Sequence, residues 1–414
     1  MPENDQLDLI LKGGHLIDPA NQIDAGRDVG IKDGKIARVA EEIPPGEAPR
    51  SIDLSGLFIT PGLIDMHLHA YHTRDLVPGA WSDSLHPDAH FLKEGVTTCV
   101  DTGTAGWQEM DHFRESVIDR STIRVLAYVN IAGAGMGAPE QIVAGFDPAR
   151  TAAAASAHRE AVVGIKSAHY WAGEFDADHP PWASAEKAVE AGALCQMPVM
   201  IDFAQRLPER PYSQLVLEKL RPGDIHTHVY AKHTPVVDEA GEIFDYMYQA
   251  RERGVLFDLG HGAGSFWLRH AARAIAQGFP PDTISTDLHL ANIHGHVNSM
   301  MDVMSKCLAM GMPLQEVVYR STLTPAQALH RPELGTLSVG AEADIAVLEL
   351  RPGSFAFRDC GWARIDADQR LECLLTLRRG EVVWDRHALT CPHWEEAPAS
   401  YWTPDGPQRL WRAH

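Results

Sequence analysis

The sequence is poor in cysteine, in basic residues and in long apolar runs, and each shortage excludes a class of protein. Its six cysteines are scattered over 414 residues without a CxxC pair, which argues against a zinc knuckle or disulfide framework and predicts reduced thiols in a cytoplasmic protein. With 36 basic and 56 acidic residues the net charge is −20, so we expect no nucleic-acid and no membrane-surface partner. No run approaches the roughly 18 apolar residues of a membrane span, and the residues that open the sequence lead us to expect no secretory signal.

Both chain ends have the pattern of short strands and tight turns. In residues 1–57, β-rich runs alternate with Gly and Asp-Gly, and a hairpin turn is predicted at 32–35. Residues 334–350 and 371–385 repeat this pattern. We therefore expect 1–57 and 335–414 to form one small β-sandwich domain, with a tail from residue 392 that is rich in Trp and Pro.

The middle of the chain, residues 58–334, alternates apolar runs with helical patterns and predicts an α/β fold. Eight such repeats fit a (β/α)8 TIM barrel. A doubly wound open sheet is the alternative, and the absence of GxGxxG after the first strand disfavours it. The eight candidate strands are Leu63–Leu68, Val96–Asp101, Arg124–Ile131, Val162–Lys166, Pro198–Phe203, Asp224–His228, Val255–Leu259 and Thr283–Asp287.

Histidine is the residue in excess: of 22 histidines, 18 fall within 58–334. His67 and His69 end the first candidate strand, where residues two apart face the same side. A pair of imidazoles about 6–7 Å apart along a strand suits a divalent transition metal. Two buried histidines that bond each other are the alternative. His226 and His228 form a second such pair on the sixth strand.

Two further residues at strand ends carry possible metal chemistry. Lys166 ends the fourth strand, where burial would lower its pKa. A neutral amine there reacts with CO2 to a carbamate, whose oxygens can bridge two metals; a snorkelling surface lysine is the alternative. Asp287 ends the eighth strand, where a carboxylate can hold a metal and accept a proton from water, or simply cap a helix.

Together these residues resemble the amidohydrolase superfamily over nearly the whole chain. The motifs that carry the resemblance are PGLIDMHLH at 61–69, GVTT at 95–98, Lys166 and Asp287. More narrowly, GIK at 164–166, RPGD at 221–224, DLGHGAGSF at 258–266 and PDTISTDLH at 281–289 resemble the branch of amidohydrolase/deacetylase metallohydrolases, which is similar to dihydroorotases in architecture.

The resemblance implies one or two Zn²⁺ ions and a set of ligands. His67, His69 and Asp287 would bind the inner metal, N6-carboxylated Lys166 would bridge both metals, and His228 would bind the outer one. The family pattern places a histidine at the end of strand five, but this sequence has Asp202 there. Either Asp202 ligates the outer metal as a carboxylate, or the outer site is weak and one metal is tight. His226 and His169 are nearby substitutes.

The resemblance also bears on the substrate. Dihydroorotases carry an arginine two residues after the HxH motif, where this chain has Tyr71, and adenosine-type deaminases lack the lysine that stands here as Lys166. Tyr71, with His169, Tyr170 and His289, is expected to contact substrate. His261, in a glycine-rich loop, is expected to hydrogen-bond the carbonyl oxygen or the leaving group; a structural histidine bonded to the loop backbone is the alternative.

These expectations define a metal-dependent hydrolase of an amide or ester bond in a small molecule, similar to a deacetylase. A metal-bound hydroxide would attack the acyl carbon, with Asp287 as general base and His261 or the outer metal polarising the carbonyl. The alternatives are a cyclic-amide hydrolase or deaminase that uses the same metals, and a non-enzymatic relative. The expected partners are a small-molecule substrate and further copies of the chain in a homo-oligomer.

Overall fold

The computed structural model describes residues 6–74, 78–171 and 173–398, and within them the chain forms seventeen strands. In chain order these are β1 (Leu9–Lys12), β2 (His15–Asp18), β3 (Ile23–Gly26), β4 (Asp28–Lys32), β5 (Lys35–Ala40), β6 (Ser51–Asp53), β7 (Phe58–Pro61), β8 (Leu63–Leu68), β9 (Val96–Gly106), β10 (Arg124–Asn130), β11 (Val162–Ser167), β12 (Val199–Ile201), β13 (Ile225–His226), β14 (Leu256–Phe257), β15 (Ile345–Arg358), β16 (Arg364–Arg378) and β17 (Glu381–Asp385).

Helices lie mainly between the strands of the middle segment. They are α1 (Pro87–His90), α2 (Met110–Ser116), α3 (Pro148–Ala157), α4 (Ala183–Cys195), α5 (Tyr212–Gln214), α6 (Asp245–Glu252), α7 (Leu268–Ala276), α8 (Met300–Ala309), α9 (Leu314–Tyr319) and α10 (Leu323–Ala328). None of these helices has the length and apolar character needed to cross a bilayer.

Two sheets are built from the chain ends. One has the strand order β5-β4-β1-β6, and the other has the order β17-β16-β15-β7-β2-β3, which joins the N-terminal strands to the C-terminal ones. The two sheets share one apolar cluster, in which Leu11 and Ile31 of the first contact a core that includes Val347 and Leu375 of the second. The ends of the chain therefore fold together, as their shared strand-and-turn pattern predicts.

The hairpin predicted at residues 32–35 is present. Lys32 pairs with Lys35 across the β4–β5 turn, and Asp33 and Gly34 have φ angles of 50° and 71°. Two successive positive φ angles are the mark of a tight hairpin turn, and Asp-Gly is the dipeptide that adopts them at least cost. The tail is partly visible: Trp394 is exposed, while Trp402 and Trp411 lie outside the described residues.

The middle segment forms a mixed α/β fold around a parallel sheet of seven strands, β8 to β14, in chain order. Thr283–Asp287, predicted to be the eighth strand, forms no regular strand. Thr283 nevertheless bridges Asp258 beyond β14, and Leu288, the residue after the predicted strand, bridges Leu68 of β8, both in parallel. The backbone amide of Thr286 donates to the Asp65 carboxylate instead of to a neighbouring strand. The Asp65 side chain thus takes the place of one hydrogen bond between strands, which explains why this segment is not a regular strand.

The fifth, sixth and seventh strands are shorter than predicted and end before Asp202, His228 and Asp258 respectively. The strands β12, β13 and β14 stop at Ile201, His226 and Phe257. His228 then adopts a φ of 63°, a left-handed conformation that a regular strand does not contain. The chain therefore leaves extended geometry where polar residues follow the strand, and this turn sets the direction of their side chains.

Candidate active site

The carboxyl ends of the parallel strands surround a cavity of about 390 Å³. This is the edge at which barrel and open α/β sheets place their ligands. Its polar lining joins residues at the ends of β8 and β11 with residues that follow β12, β13 and β14, and its apolar lining includes two tryptophans. The residues that line it and bear on the argument are His67, His69, Trp81, Lys166, His169, Tyr170, Trp182, Asp202, Phe203, Arg210, His228, His233, Asp287 and His289.

Three cavity histidines have one ring nitrogen committed to a buried acceptor. His228 Nδ1 donates to the Gly260 carbonyl at 2.5 Å. His67 Nδ1 lies 2.8 Å from the Thr227 hydroxyl, which itself donates to Asp258 at 2.7 Å. Since the hydroxyl proton is used there, His67 Nδ1–H must be the donor. Each of these Nε2 atoms consequently carries a free lone pair, which is the form that binds a metal.

The His69 ring is fixed in a similar way. Its Nδ1 lies 2.8 Å from the Thr104 hydroxyl, and the Thr104 backbone amide donates to the buried Asp101 carboxylate at 2.8 Å. The ring centroids of His67 and His69 are 6.1 Å apart, which confirms the spacing expected for residues two apart on one strand. The two imidazoles therefore face the cavity together rather than bonding each other.

The Asp287 carboxylate lies among the three imidazoles. Its Oδ1 is 3.0 Å from His69 Nε2 and 3.5 Å from His67 Nε2, and its Oδ2 is 3.9 Å from His228 Nε2. Burial alone would raise the pKa of Asp287, but the neighbouring His69 and His228 lower it below its usual range. The carboxylate is therefore ionised and available as a ligand or proton acceptor.

These separations fit a metal ion. Two ligands at tetrahedral angles, each about 2.0–2.1 Å from zinc, lie about 3.3 Å apart. Ligand atoms of His67, His228 and Asp287 all fall within 4.8 Å of one another, and burial lowers the pKa of His67 well below its usual value, which keeps the imidazole neutral. The donor set of imidazole nitrogens and a carboxylate is the one that zinc and its neighbours in the periodic table prefer.

Lys166 reaches the same cluster from β11. Its Nζ is 3.4 Å from His67 Nε2, and the residue is 1% exposed. Burial lowers the pKa of Lys166, partly opposed by the carboxylates of Asp202 and Asp287. Gly103 on β9 makes room for this side chain, because a Cβ there would lie 2.5 Å from the Lys166 Cβ. A snorkelling surface lysine is therefore ruled out.

Asp202, which stands where the family pattern expects histidine, faces the cavity. Its Oδ2 is 3.8 Å from His228 Nε2 and 3.7 Å from His169 Nε2. Burial would raise the pKa of Asp202, but His228, His169 and Lys166 together lower it far below its usual value. His226, the other predicted substitute, instead packs on the Tyr212 ring at 4.9 Å and does not line the cavity.

The backbone at the cluster is strained, and two glycines allow it to close. His169, His228 and Asp287 have φ angles of 49°, 63° and 50°, a region that non-glycine residues seldom occupy and that concentrates at functional sites. A Cβ on Gly260 would lie 2.3 Å from the Thr227 hydroxyl, and one on Gly262 would lie 2.5 Å from Asp287 Oδ2. The DLGHGAGSF motif is therefore glycine-rich because it passes beside the cluster.

Two predicted site residues do not reach the cavity lining. His261 is fully buried and accepts a hydrogen bond at Nε2 from Lys306 Nζ at 2.7 Å, so its ring is turned toward α8 instead of toward substrate. Tyr71 donates its hydroxyl proton to Glu109 and is also absent from the lining. Both predictions assumed that a polar residue near a strand end points inward, and here the chain has already turned.

Other residues of the site were not predicted. The acceptors Asp101, Thr104, Thr227 and Asp258, which orient the histidines, are buried next to the cluster. Trp81 contacts the rings of His69 and His289 at 5.1 and 5.2 Å. The sequence offered a signal for the acceptors, because Thr and Asp at strand ends have little reason to be there in an apolar core. It offered none for Trp81, which lies on a loop.

Comparison with known proteins identifies the family. The model of the amidohydrolase family matches residues 268–382. A deacetylase of Agrobacterium fabrum is 32% identical over 326 residues, which cover 77% of each chain. The solved structure of an adenine deaminase superposes with a TM-score of 0.81 at 27% identity, and that of a dihydroorotase with 0.76 at 26%; each covers 91% of this chain and 99% of its own.

The chain belongs to the amidohydrolase family. It is a metal-dependent hydrolase that acts on carbon–nitrogen bonds of small molecules, as the sequence motifs predict.

The contact between Gly262 and Asp287 gives a direct prediction. In Gly262→Ala the new Cβ would push Asp287 Oδ2 away from the histidines, so we expect bound metal and activity to fall together. Gly264→Ala is the matched control, because a Cβ there has nothing within 4 Å. Metal per chain is measured by elemental analysis, and a Gly262→Ala protein with the metal content of the control would contradict the packing argument.

Proposed function

We propose that this protein is a zinc-dependent deacetylase-like enzyme that removes an acyl group from the nitrogen or oxygen of a small molecule. The observation that carries the proposal is the buried cluster of three imidazoles, one carboxylate and one lysine amine at the cavity floor, all within hydrogen-bond or ligand distance of a neighbour. The similarity to the Agrobacterium deacetylase supports the acyl group as the part that leaves.

We assign the ligands as follows. His67, His69 and Asp287 would hold the inner zinc, His228 and Asp202 would hold a second zinc, and Lys166, as its N6-carboxylate, would be a ligand shared by both. The carbamate is chemically reasonable because burial keeps the Lys166 amine from staying protonated, and a carbamate anion offsets two cationic metals. A carboxylate at position 202 is a ligand that zinc accepts.

The chain's own residues would carry the proton transfers. Bound zinc would supply the Lewis acidity that makes water nucleophilic near neutral pH. Asp287 accepts the water proton and later passes it to the leaving nitrogen or oxygen. Trp81, Trp182 and Phe203 line the cavity and keep bulk water from the reacting atoms. His289, 6.1 Å from His69 between ring centroids, and His169 with Tyr170 contact the substrate at the same cavity.

The remaining expectations extend the described fold. The bridges of Thr283 and Leu288 to opposite edges of the sheet support a closed (β/α)8 TIM barrel over 58–334, with the β-sandwich domain formed by 1–57 and 335–414. Free thiols at all six cysteines are compatible with a cytoplasmic location. The cytoplasmic location and a homo-oligomeric state both stay predictions.

A deaminase or cyclic-amide hydrolase remains the second candidate. The adenine deaminase structure is similar over 91% of this chain, and the same metal cluster would serve attack on a ring carbon. Product analysis separates the two functions, since a deacetylase releases acetate whereas a deaminase releases ammonia and a cyclic-amide hydrolase opens a ring without releasing either.

The proposed function is tested by screening the zinc-loaded protein against N-acetyl and O-acetyl acids of both configurations, with acetate release as the readout. Adenine and dihydroorotate are screened in parallel. Release of acetate supports the proposal, and ammonia release or ring opening with no acetate from any acyl compound would replace it by the second candidate.

The carbamate gives a mutational prediction. In Lys166→Ala we expect bound zinc to fall and activity to drop by more than the about 10- to 100-fold that loss of an outer partner of a ligand costs. Formate or acetate should restore part of both, because a short carboxylate fills the space of the carbamate. Lys187→Ala, on the exposed face of α4, is the control. Full activity and full zinc in Lys166→Ala would exclude the carbamate.

The outer site is tested at Asp202. If Asp202 is a ligand, Asp202→Ala should reduce zinc from about two equivalents per chain toward one, with the inner ion kept by His67, His69 and Asp287. Asp178→Ala, an exposed carboxylate on the loop after Tyr170, should keep the wild-type content. One tight equivalent in the wild type, unchanged in Asp202→Ala, would remove Asp202 from the ligand set.

A further inference from the structure

Arg210 is a buried arginine in the cavity wall, and the proposed chemistry does not use it. It follows β12 by nine residues, is 4% exposed, and lines the same cavity as the metal cluster. Two of its three side-chain nitrogens have carbonyl acceptors: Nε donates to Ala204 at 3.0 Å and Nη1 donates to Tyr170 at 3.2 Å. Within the described residues Nη2 has no hydrogen-bond acceptor, so a pair of N–H donors is left for a ligand.

Among the described residues Arg210 forms no ion pair with a carboxylate. Within the described part of the chain neither Arg210 nor its neighbour Arg206 has a carboxylate oxygen within 4.0 Å, although the protein carries 56 acidic residues. Arg206 instead donates to the Gly173 carbonyl. In a chain with a net charge of −20, a buried arginine without a carboxylate partner is unexpected, because such charges are nearly always paired.

Arg210 lies among aromatic rings, which do not replace the hydration that its charge loses on burial. Its guanidinium carbon lies 5.0 Å from the Phe175 ring centroid, 5.2 Å from that of Phe203 and 5.9 Å from that of Tyr170. Burial among these rings, together with the charge of Arg206, outweighs the opposing influence of Tyr170 and Asp202 and lowers the pKa of Arg210 to about 10. An anion placed against the free edge of the guanidinium would replace the lost hydration, and in an apolar surrounding that interaction is strong.

The apolar wall beside Arg210 indicates the chemical character of the rest of the ligand. The rings of Trp182 and Phe203 stack at 5.5 Å with an interplanar angle of 10°, and both face the cavity. One guanidinium edge matches a single carboxylate, whereas a phosphate dianion would call for more cationic donors than the one arginine in the described cavity lining. A flat or branched apolar group fits the stacked rings.

We propose that Arg210 binds a carboxylate of the substrate, so that the enzyme acts on acyl derivatives of small acids that also carry an apolar side group. This inference rests on the proposed function for the bond that is cleaved, and adds the class of molecule that carries it. Arg210 is a specificity-determining residue: it holds the substrate by a group remote from the acyl carbon, which lies over the metal cluster. Tyr71, which stands where dihydroorotases carry an arginine, does not line the cavity and has no role in binding this carboxylate.

The test uses a matched pair of substrates on the zinc-loaded protein. N-acetylphenylalanine, in both configurations, carries the carboxylate, and N-acetylphenethylamine lacks it. In Arg210→Gln we expect kcat/KM for the acid to fall about 30-fold or more, mainly through KM, while kcat/KM for the neutral compound changes by less than about 3-fold. Arg210→Lys should recover part of the loss. Arg206→Gln, the adjacent arginine outside the cavity lining, is the control and should resemble the wild type.

A second measurement separates this inference from the proposed function. Binding of phenylacetate, which has no acyl bond to cleave, is followed by calorimetry in the wild type and in Arg210→Gln, with 2-phenylethanol as the neutral partner. Phenylacetate should bind the wild type and not Arg210→Gln, even if neither acetyl compound is hydrolysed. Equal binding of phenylacetate by both proteins would overturn the assignment, and so would an equal loss of activity on the acid and the neutral substrate, which would mark Arg210 as structural.

Discussion

The site depends on one constraint: the Nδ1 atoms of His67, His69 and His228 are each held by a fixed, buried partner. His228 donates to a backbone carbonyl, His67 donates to the Thr227–Asp258 pair, and His69 contacts the Thr104 hydroxyl. A neutral imidazole has only one N–H, so the first two bonds leave Nε2 without a proton on His67 and His228, while His69 Nε2 faces the Asp287 carboxylate at 3.0 Å. The three Nε2 atoms therefore face the cavity because of groups that do not themselves touch the cavity.

The fold explains how such acceptors come to be in place. Parallel strands deliver their polar residues to one edge of the sheet, and short strands that end early let the chain turn there. The positive φ angles of His228 and Asp287, and the close passage of Gly260 and Gly262, are the local cost of bringing the side chains together. That cost is offset by the dense hydrogen bonding of Asp258, whose carboxylate accepts from Thr283, Ser285 and Thr227.

The sequence predicts what is local and periodic. The HxH spacing fixes the facing of His67 and His69, the position of Lys166 on β11 fixes its burial, and Asp-Gly fixes the β4–β5 hairpin. What it misses depends on contacts between distant segments. His261 turns away because Lys306, 45 residues later on α8, reaches its ring, and Thr286 leaves strand geometry because Asp65, on β8, takes its amide. The sequence also predicts that Asp202 lies at the end of the fifth strand, but its contact with His169 depends on the folded cavity.

The most direct test of the account is a metal titration of chelator-treated protein. Zinc is added back in steps, and bound zinc and acetate release from an acetylated acid are followed together. The account predicts almost no acetate release from the stripped protein and a rise that stops at about two equivalents per chain. Full acetate release from protein that elemental analysis shows to be free of metal would contradict it.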